Sequence, residues 1–260
     1  MSTFRHPEAR ALVLAAGQGT RMNSDLAKVL HPMAGRPLLA YVLDAVGELG
    51  MERTLVVIGH QRDRVRAAFV GNAIEWVEQV EQNGTGHAVM VAAPALEGFR
   101  GTLLVTYGDT PLLTAATLHE LLAGHERSGA AVTVLSMRVP DPRGYGRIVR
   151  GAGDTIRAIV EDADASAEQR RIDEVNSGVY AFDWPRLAVT LSGLTAHNAQ
   201  GEYYLTDAVD GLRRAGHLTA VVCARDHREV LGINTPQQLA EAERTYLALR
   251  AGGGARGERR

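Results

Sequence analysis

Ala11-Leu12-Val13-Leu14-Ala15-Ala16-Gly17-Gln18-Gly19-Thr20-Arg21-Met22-Asn23-Ser24-Asp25-Leu26-Ala27-Lys28-Val29-Leu30-His31-Pro32 is the stretch whose reading decides the fold. Its first five residues form an apolar run short enough for a buried parallel strand, and the run breaks into glycines. Glycine has no Cβ, which permits both the turn and the close approach of backbone N–H groups to an anion. Arg21 and Lys28 follow, seven positions apart, and suit a polyphosphate whose charge is matched at two points. Without those two cations the glycines alone would read as a mobile turn. A dinucleotide fingerprint needs glycine or alanine at position 22 and a P-loop needs Gly-Lys there, and Met22-Asn23 satisfies neither.

Outward from this loop, Pro37 opens a helix on which Leu38, Leu39, Val42, Leu43, Val46 and Leu49 recur at helical spacing until Gly50. Residues 55–58 and 74–80 read as strands around a short helix at 63–69. Gln82-Asn83-Gly84-Thr85-Gly86-His87 then leads into a helix at 88–93, stopped by Pro94. A strand at 102–107 runs into Gly108-Asp109-Thr110-Pro111, and a helix spans 114–127. This alternation predicts an α/β fold, a Rossmann-like and mainly parallel sheet flanked by helices. Ligands of such sheets bind beyond the carboxyl ends of strands. The loop after Ala15, the segment after Val80 and Gly108-Asp109 are therefore expected to share one crevice.

After Ala131 the rhythm changes. Strands at 132–139, 145–150, 156–160 and 174–182 follow without long helices between them, and helices return at 185–191, 205–215 and 235–249. The second half is expected to be a smaller mixed or antiparallel extension closing over the first. The boundaries expected are one domain over 8–232, with halves of about 8–131 and 132–232, then a C-terminal helix and tail over 233–260. The tail, Ala251 to Arg260, reads as disordered.

The chain has 260 residues, 45% hydrophobic and 22% charged, with a formal net charge of -2. That is enough for a well-buried α/β domain and offers no global field to recruit nucleic acid or an anionic membrane. The single cysteine, Cys223, sits in the apolar run 218–223 and reads as buried; no disulfide framework is possible, which suits a reducing cytoplasm. No apolar run approaches the roughly 20 residues of a membrane span, and the N-terminal ten residues lack a signal-peptide core. Nine histidines form no His-Glu-x-x-His, and no Gly-x-Ser-x-Gly elbow occurs. His31 and His87 flank the loops and read as hydrogen-bonding residues. Asp109 follows an apolar strand directly, which would set its charge at the sheet rim, where one aspartate can suffice for Mg²⁺.

Leu14-Ala15-Ala16-Gly17-x-Gly19-Thr20-Arg21-Met22 followed by Lys28-Val29-Leu30-His31 resembles the signature of sugar-1-phosphate nucleotidyltransferases. The likeness is greatest to the uridyltransferase domain of the bacterial N-acetylglucosamine-1-phosphate uridyltransferase (GlmU) type. It runs from about Ala11 to about Leu239 and is specific also at Asn83-Gly84-Thr85-Gly86-His87, Tyr107-Gly108-Asp109 and Gly144-Tyr145-Gly146. The resemblance implies a nucleotide-diphospho-sugar transferase fold and nucleotide contacts at Leu14, Ala15, Ala16, Gly17, Gly19, Lys28, Gln79, Gly84 and Thr85. It implies sugar contacts at Tyr107, Gly108, Gly146, Glu161 and Asn176, Mg²⁺ on Asp109 and Asn234, and Arg21 and Lys28 as catalytic cations. The implied substrates are small molecules, UTP and N-acetylglucosamine 1-phosphate, and the implied products are UDP-N-acetylglucosamine, a cell-wall precursor, and pyrophosphate.

A sugar 1-phosphate with a second pKa near 6 arrives largely dianionic, so the reaction needs no general base. A uracil edge wants an acceptor flanked by donors, which Gln79 and backbone near Gly84 can supply. As bare residues the same positions have plainer readings: a turn aspartate at 109, a helix N-cap at 234, core packing at Tyr203 and Tyr204 within the similar stretch Asn198 to Asp207. The chain departs from the family at Ala27, where proline is usual, which frees that backbone. It departs again at Asn234-Thr235-Pro236, where the GlmU type has doubled asparagine. It carries no hexapeptide repeats, so the acetyltransferase activity and the trimer built by that domain are expected to be absent. Another sugar 1-phosphate, or a non-catalytic UDP-sugar-binding module, are the alternative functions.

Overall fold

The computed structural model describes residues 4–71, 73–152, 155–198 and 200–254. Strand β1 (Ala9–Ala15) is followed by a small ribbon of β2 (Pro32–Met33) and β3 (Arg36–Pro37), then α1 (Leu38–Gly47), β4 (Arg53–Ile58), α2 (Arg62–Ala68) and β5 (Glu75–Glu78). Next come α3 (Thr85–Ala92), β6 (Thr102–Tyr107), α4 (Ala115–Ser128) and β7 (Val132–Arg138). The hairpin of β8 (Arg147–Arg150) and β9 (Ile156–Val160) precedes β10 (Glu174–Asp183), α5 (Trp184–Leu191), α6 (Leu205–Arg214), β11 (Thr219–Cys223) and α7 (Pro236–Gly254).

The main sheet runs β11-β7-β10-β6-β1-β4-β5. β1 pairs in parallel with β4 and β6, setting Leu12 beside Leu55 and Val105. Alternate residues of β1 feed two cores. Ala11 and Val13 pack with Leu39 and Val42 of α1 and Leu118 and Leu122 of α4, while Leu12 and Leu14 pack with Val89 of α3, Leu187 of α5 and Leu212 of α6. A strand covered on both faces gains from burying every side chain, at about 1.5–3 kcal/mol for each Leu or Val, which explains its unbroken apolar run.

The α/β sheet is as predicted, but its second half is joined differently. β7, β10 and β11 enter the main sheet rather than folding over it, and β10 lies antiparallel between β6 and β7. Among the described residues, the β8–β9 hairpin, hung from β10, leaves that path. Four local expectations are corrected. Helix α3 starts at Thr85 rather than 88, because the N–H of Gly86 is taken by the carbonyl of Tyr203 (2.7 Å) and needs no partner within the helix. Pro94 does not end the helical path but sits inside a 3-10 turn, Ala93–Leu96. Tyr145 and Gly146 precede β8 as a loop. Cys223 is exposed, because it is the last residue of β11, the end strand of the sheet.

α7 continues through Gly254, four residues into the stretch read as disordered, since each added residue gains one hydrogen bond once a helix is nucleated. Met1 to Thr3, Ala199 and Ala255 to Arg260, which the readings of the N-terminus, the similar stretch and the tail include, lie outside the described residues.

One buried group makes the fold acid-sensitive. His125 of α4 shares a 3.0 Å hydrogen bond with the Thr133 hydroxyl of β7, and burial lowers its pKa from 6.5 to about 4. Between those values the unfolded chain binds the extra proton, so this contribution is complete above pH 6.5, falls as pH drops and levels off below about 4. His125→Gln is expected to remove about 3 kcal/mol of the stability lost between pH 7 and 4, measured by urea unfolding at both values.

Candidate active site

Beyond the carboxyl ends of β1, β5 and β6 the chain leaves two adjoining cavities of about 500 and 570 Å³. Leu14, Ala15, Ala16, Gly17, Gly19, Lys28, Gln79, Gly84 and Thr85 all line the first. Gly146, Glu161, Asn176 and Asn234 line the second, and Lys28, Thr85, Tyr107, Asp109 and Glu202 line both. Gly108 is in neither lining: its N–H donates to the Leu14 carbonyl (2.9 Å), and a Cβ there would meet Leu39, Ala15 and Val29 at 3.0–3.2 Å. Arg21 also lies outside both linings, yet its guanidinium reaches the same centre, donating to Asn234 Oδ1 at 3.0 Å.

That centre is built from three separated segments. The Lys28 ammonium pairs with Asp109 Oδ2 and donates to Asn234 Oδ1 at 3.1 Å. Glycine is required at 19, where φ is 66° and a Cβ would stand 2.6 Å from Lys28 Cβ; the loop closes onto the stem of the lysine itself. Asp109 is 7% exposed, and its carbonyl accepts from Ile233 N–H (2.9 Å), which draws the Gly232-Ile233-Asn234 turn across the end of β6.

The helix cap at this turn is Thr235, not Asn234. Thr235 Oγ1 accepts from Gln238 N–H (3.2 Å) while Gln238 Oε1 accepts from the N–H groups of Asn234 (2.8 Å) and Thr235 (3.0 Å), a reciprocal capping box. Its closure leaves the Asn234 carboxamide facing Arg21 and Lys28. Two hard oxygens, one carboxylate and one amide, thus converge on a positive charge, the donor chemistry a hard divalent cation takes. Among the described residues no group of three or more His, Cys, Asp or Glu gathers, so a cation here would complete its shell with phosphate and water.

On the first cavity's wall, the buried Gln79 donates Nε2 to the Gly84 carbonyl and meets His87 Nδ1, both at 3.1 Å. His87 is a hydrogen-bonding residue here, as read. The segment after Asn198 braces this wall: Tyr203 N–H donates to the Asn83 carbonyl (2.9 Å) and Leu205 N–H to Thr85 Oγ1 (3.0 Å). Tyr203 and Tyr204 read as core packing, yet the first is a backbone brace and the second lines the second cavity beside Glu202. The similar stretch at Asn198 to Asp207 was the signal available for them. Burial, together with the charge of Asp109, pushes the Tyr107 phenol above its ordinary pKa, against a hydrogen bond from Thr85.

On the second wall, the β10 register shifts between Asn176 and Val179. There Asn176 Oδ1 accepts from Gly178 N–H (3.0 Å) and Nδ2 donates to the Tyr180 hydroxyl (2.6 Å). Glu161 accepts from the Thr206 hydroxyl (3.1 Å), and burial is the main cause raising its pKa, with Asp207 and other carboxylates adding to it. Arg147, 1% exposed, was read only as a strand residue. It pairs with Asp162 (2.8 Å), whose other oxygen accepts from Gly144 N–H (3.0 Å), so a buried cation holds the Gly144-Tyr145-Gly146 loop to the end of β9. On the first loop, Ala27 keeps a φ of -52° and gives its N–H to Gln61 Oε1 at 3.2 Å.

Residues 11–176 match the family model described as the MobA-like NTP transferase domain. The bifunctional protein GlmU of Thermobifida fusca is 52% identical over 247 residues, covering 92% of this chain and 51% of that protein. GlmU of Corynebacterium efficiens is 51% identical over 93% of this chain and 52% of its own length, and that of Syntrophotalea carbinolica 46% over 92% and 51%. The chain spans about half the length of the curated relatives it matches. A crystal structure of UDP-glucose pyrophosphorylase complexed with UDP-glucose superposes with a TM-score of 0.72 at 18% identity, over 92% of this chain and 98% of that one, and shows the shared fold. With the family model matched across most of the sheet and the first wall of the cleft, the chain belongs to the MobA-like NTP transferase domain family.

Proposed function

We propose that this nucleotidyltransferase joins UTP to N-acetylglucosamine 1-phosphate, releasing pyrophosphate. The observation that carries the reading is the meeting of Arg21, Lys28, Asp109 and Asn234 at the junction of two cavities, each sized for one half of a nucleotide sugar. Residues of about 8–131 take the nucleotide and those of about 132–232 the sugar. Gln79 and the backbone near Gly84 read the uracil edge, while Gly146, Glu161 and Asn176 meet the hydroxyl and acetamido groups.

In this mechanism the sugar phosphate attacks in line at the α-phosphorus, and positioning and charge do the work. Lys28 exchanges Asp109 for the α-phosphate; Arg21 and the amides of Gly17 and Gly19 hold the β- and γ-phosphates. Mg²⁺ held by Asp109 and Asn234 supplies neutralisation of phosphate charge when bound. No helix among the described residues is long and apolar enough to cross a membrane, and we place the reaction in the cytoplasm.

Pyrophosphate release should be at least about tenfold faster, as kcat/KM, with UTP and N-acetylglucosamine 1-phosphate than with glucose 1-phosphate, which leaves a site built for the acetamido group unpaired, or with dTTP, which lacks the ribose 2′-hydroxyl and carries an extra 5-methyl group. A reversed preference would assign another sugar. Tight UDP-sugar binding without turnover in Mg²⁺ would make the chain a binding module.

A further inference from the structure

Asp25 to Ala27 join two 3-10 turns, Thr20–Met22 and Lys28–Leu30, and lie in neither. One side chain spans them. Gln61 Oε1 accepts from Ala27 N–H at 3.2 Å, and Gln61 Nε2 donates to the Asp25 carbonyl. A carboxamide is suited to this bridge because it offers an acceptor and a donor together and adds no charge beside a phosphate site. Gln61 stands just before α2 with φ 51°, a left-handed conformation that side-chain-bearing residues avoid and that only two other non-glycine residues adopt among those described. Arg64 donates to the same Oε1 at 3.1 Å and fixes the carboxamide's orientation. The residue after Ala27 is Lys28.

We infer that Gln61 is a positioning residue for Lys28: its carboxamide holds the 25–27 segment so that the lysine ammonium is delivered to the Asp109–Asn234 centre. The inference rests on the nucleotidyl-transfer reading of Lys28. Since the φ of Ala27, -52°, falls within the range a proline ring imposes, the same segment conformation can be secured covalently, without Gln61.

That equivalence supplies the test, read by pyrophosphate release, by calorimetric binding of inorganic tripolyphosphate, by hydrogen exchange of the Ala27 amide and by thermal melting. Gln61→Ala should lower kcat about tenfold, with the sugar-phosphate KM within about twofold of wild type. It should weaken tripolyphosphate binding about fivefold and speed Ala27 exchange, with an unchanged melt. Adding Ala27→Pro to Gln61→Ala should restore kcat and tripolyphosphate affinity to within about threefold of wild type, because the ring replaces the bridge. Wild-type kcat and tripolyphosphate affinity in Gln61→Ala, or a well-folded double variant that recovers neither, would overturn the inference. Should the proline variants not fold, Gln61→Met keeps the length of the stem and adds no charge but loses both the acceptor for Ala27 and the donor to Asp25. A kcat within about threefold of that of Gln61→Ala is then expected, and a wild-type kcat counts against the bridge. Gln61-dependent tripolyphosphate binding without any pyrophosphate release would refute the transferase reading and leave the positioning role standing.

Discussion

Lys28→Ala is expected to lower kcat for pyrophosphate release about 10³-fold while the sugar-phosphate KM changes little, because the ammonium acts on charge that develops at the transferred phosphorus. In the free protein this ammonium is mostly buried with Asp109, their side chains 16% and 10% exposed. Screening by water is therefore weak, and the charge is worth more than it would be on an open surface. Lys28→Arg should rescue little, since a planar fork cannot replace a point charge that meets Asp109 and Asn234 from a stem packed against Gly19. Asp109→Asn should cost a similar factor and raise the divalent-metal concentration needed for half-maximal rate, because one of the two hard oxygens loses its charge. Arg21 is exposed and donates to Asn234, so Arg21→Ala should cost less, about 10²-fold in kcat. Steady-state rates over both substrates check all four substitutions. A rise in KM with kcat intact would assign these cations to ground-state binding instead.

Gly178→Ala should have the largest effect on the fold among single changes near the site. Gly178 has φ 83° at the point where the β10 register shifts, and an added Cβ would stand 2.3 Å from Cε2 at the edge of the Tyr107 ring. The left-handed conformation costs about 1–2 kcal/mol with a side chain, and forcing a methyl into a packed ring about 1–3 more. A loss of about 3 kcal/mol lowers Tm by roughly 6–12 °C for a domain near this size. The same residue ties Asn176 in place, its N–H donating to Asn176 Oδ1, and Tyr107 lines both cavities. The sugar-phosphate KM should therefore rise together with the fall in Tm. A variant with wild-type Tm would show that β10 can shed its bulge.

What the amino-acid sequence by itself determined is local. The apolar run of β1, the bounds of β6 at Thr102–Tyr107 and the two cations that follow the first glycines can be read from run length, glycine placement and spacing, which act within a few residues. The tertiary structure alone decided matters whose causes lie far along the chain. β10 inserts antiparallel between β6 and β7 because strand pairing is chosen by burial on two faces, not by its own pattern. Helix α3 gains its first turn from Tyr203, and Cys223 is exposed by its place at the sheet end. Asn234 faces the cations because Thr235 and Gln238 close the cap between them, and Arg147 and Gln61 act through partners 15 and 34 positions away. Hydrogen bonds and burial between distant segments leave no periodicity in a one-dimensional pattern, so these assignments emerge only when the strands are brought side by side.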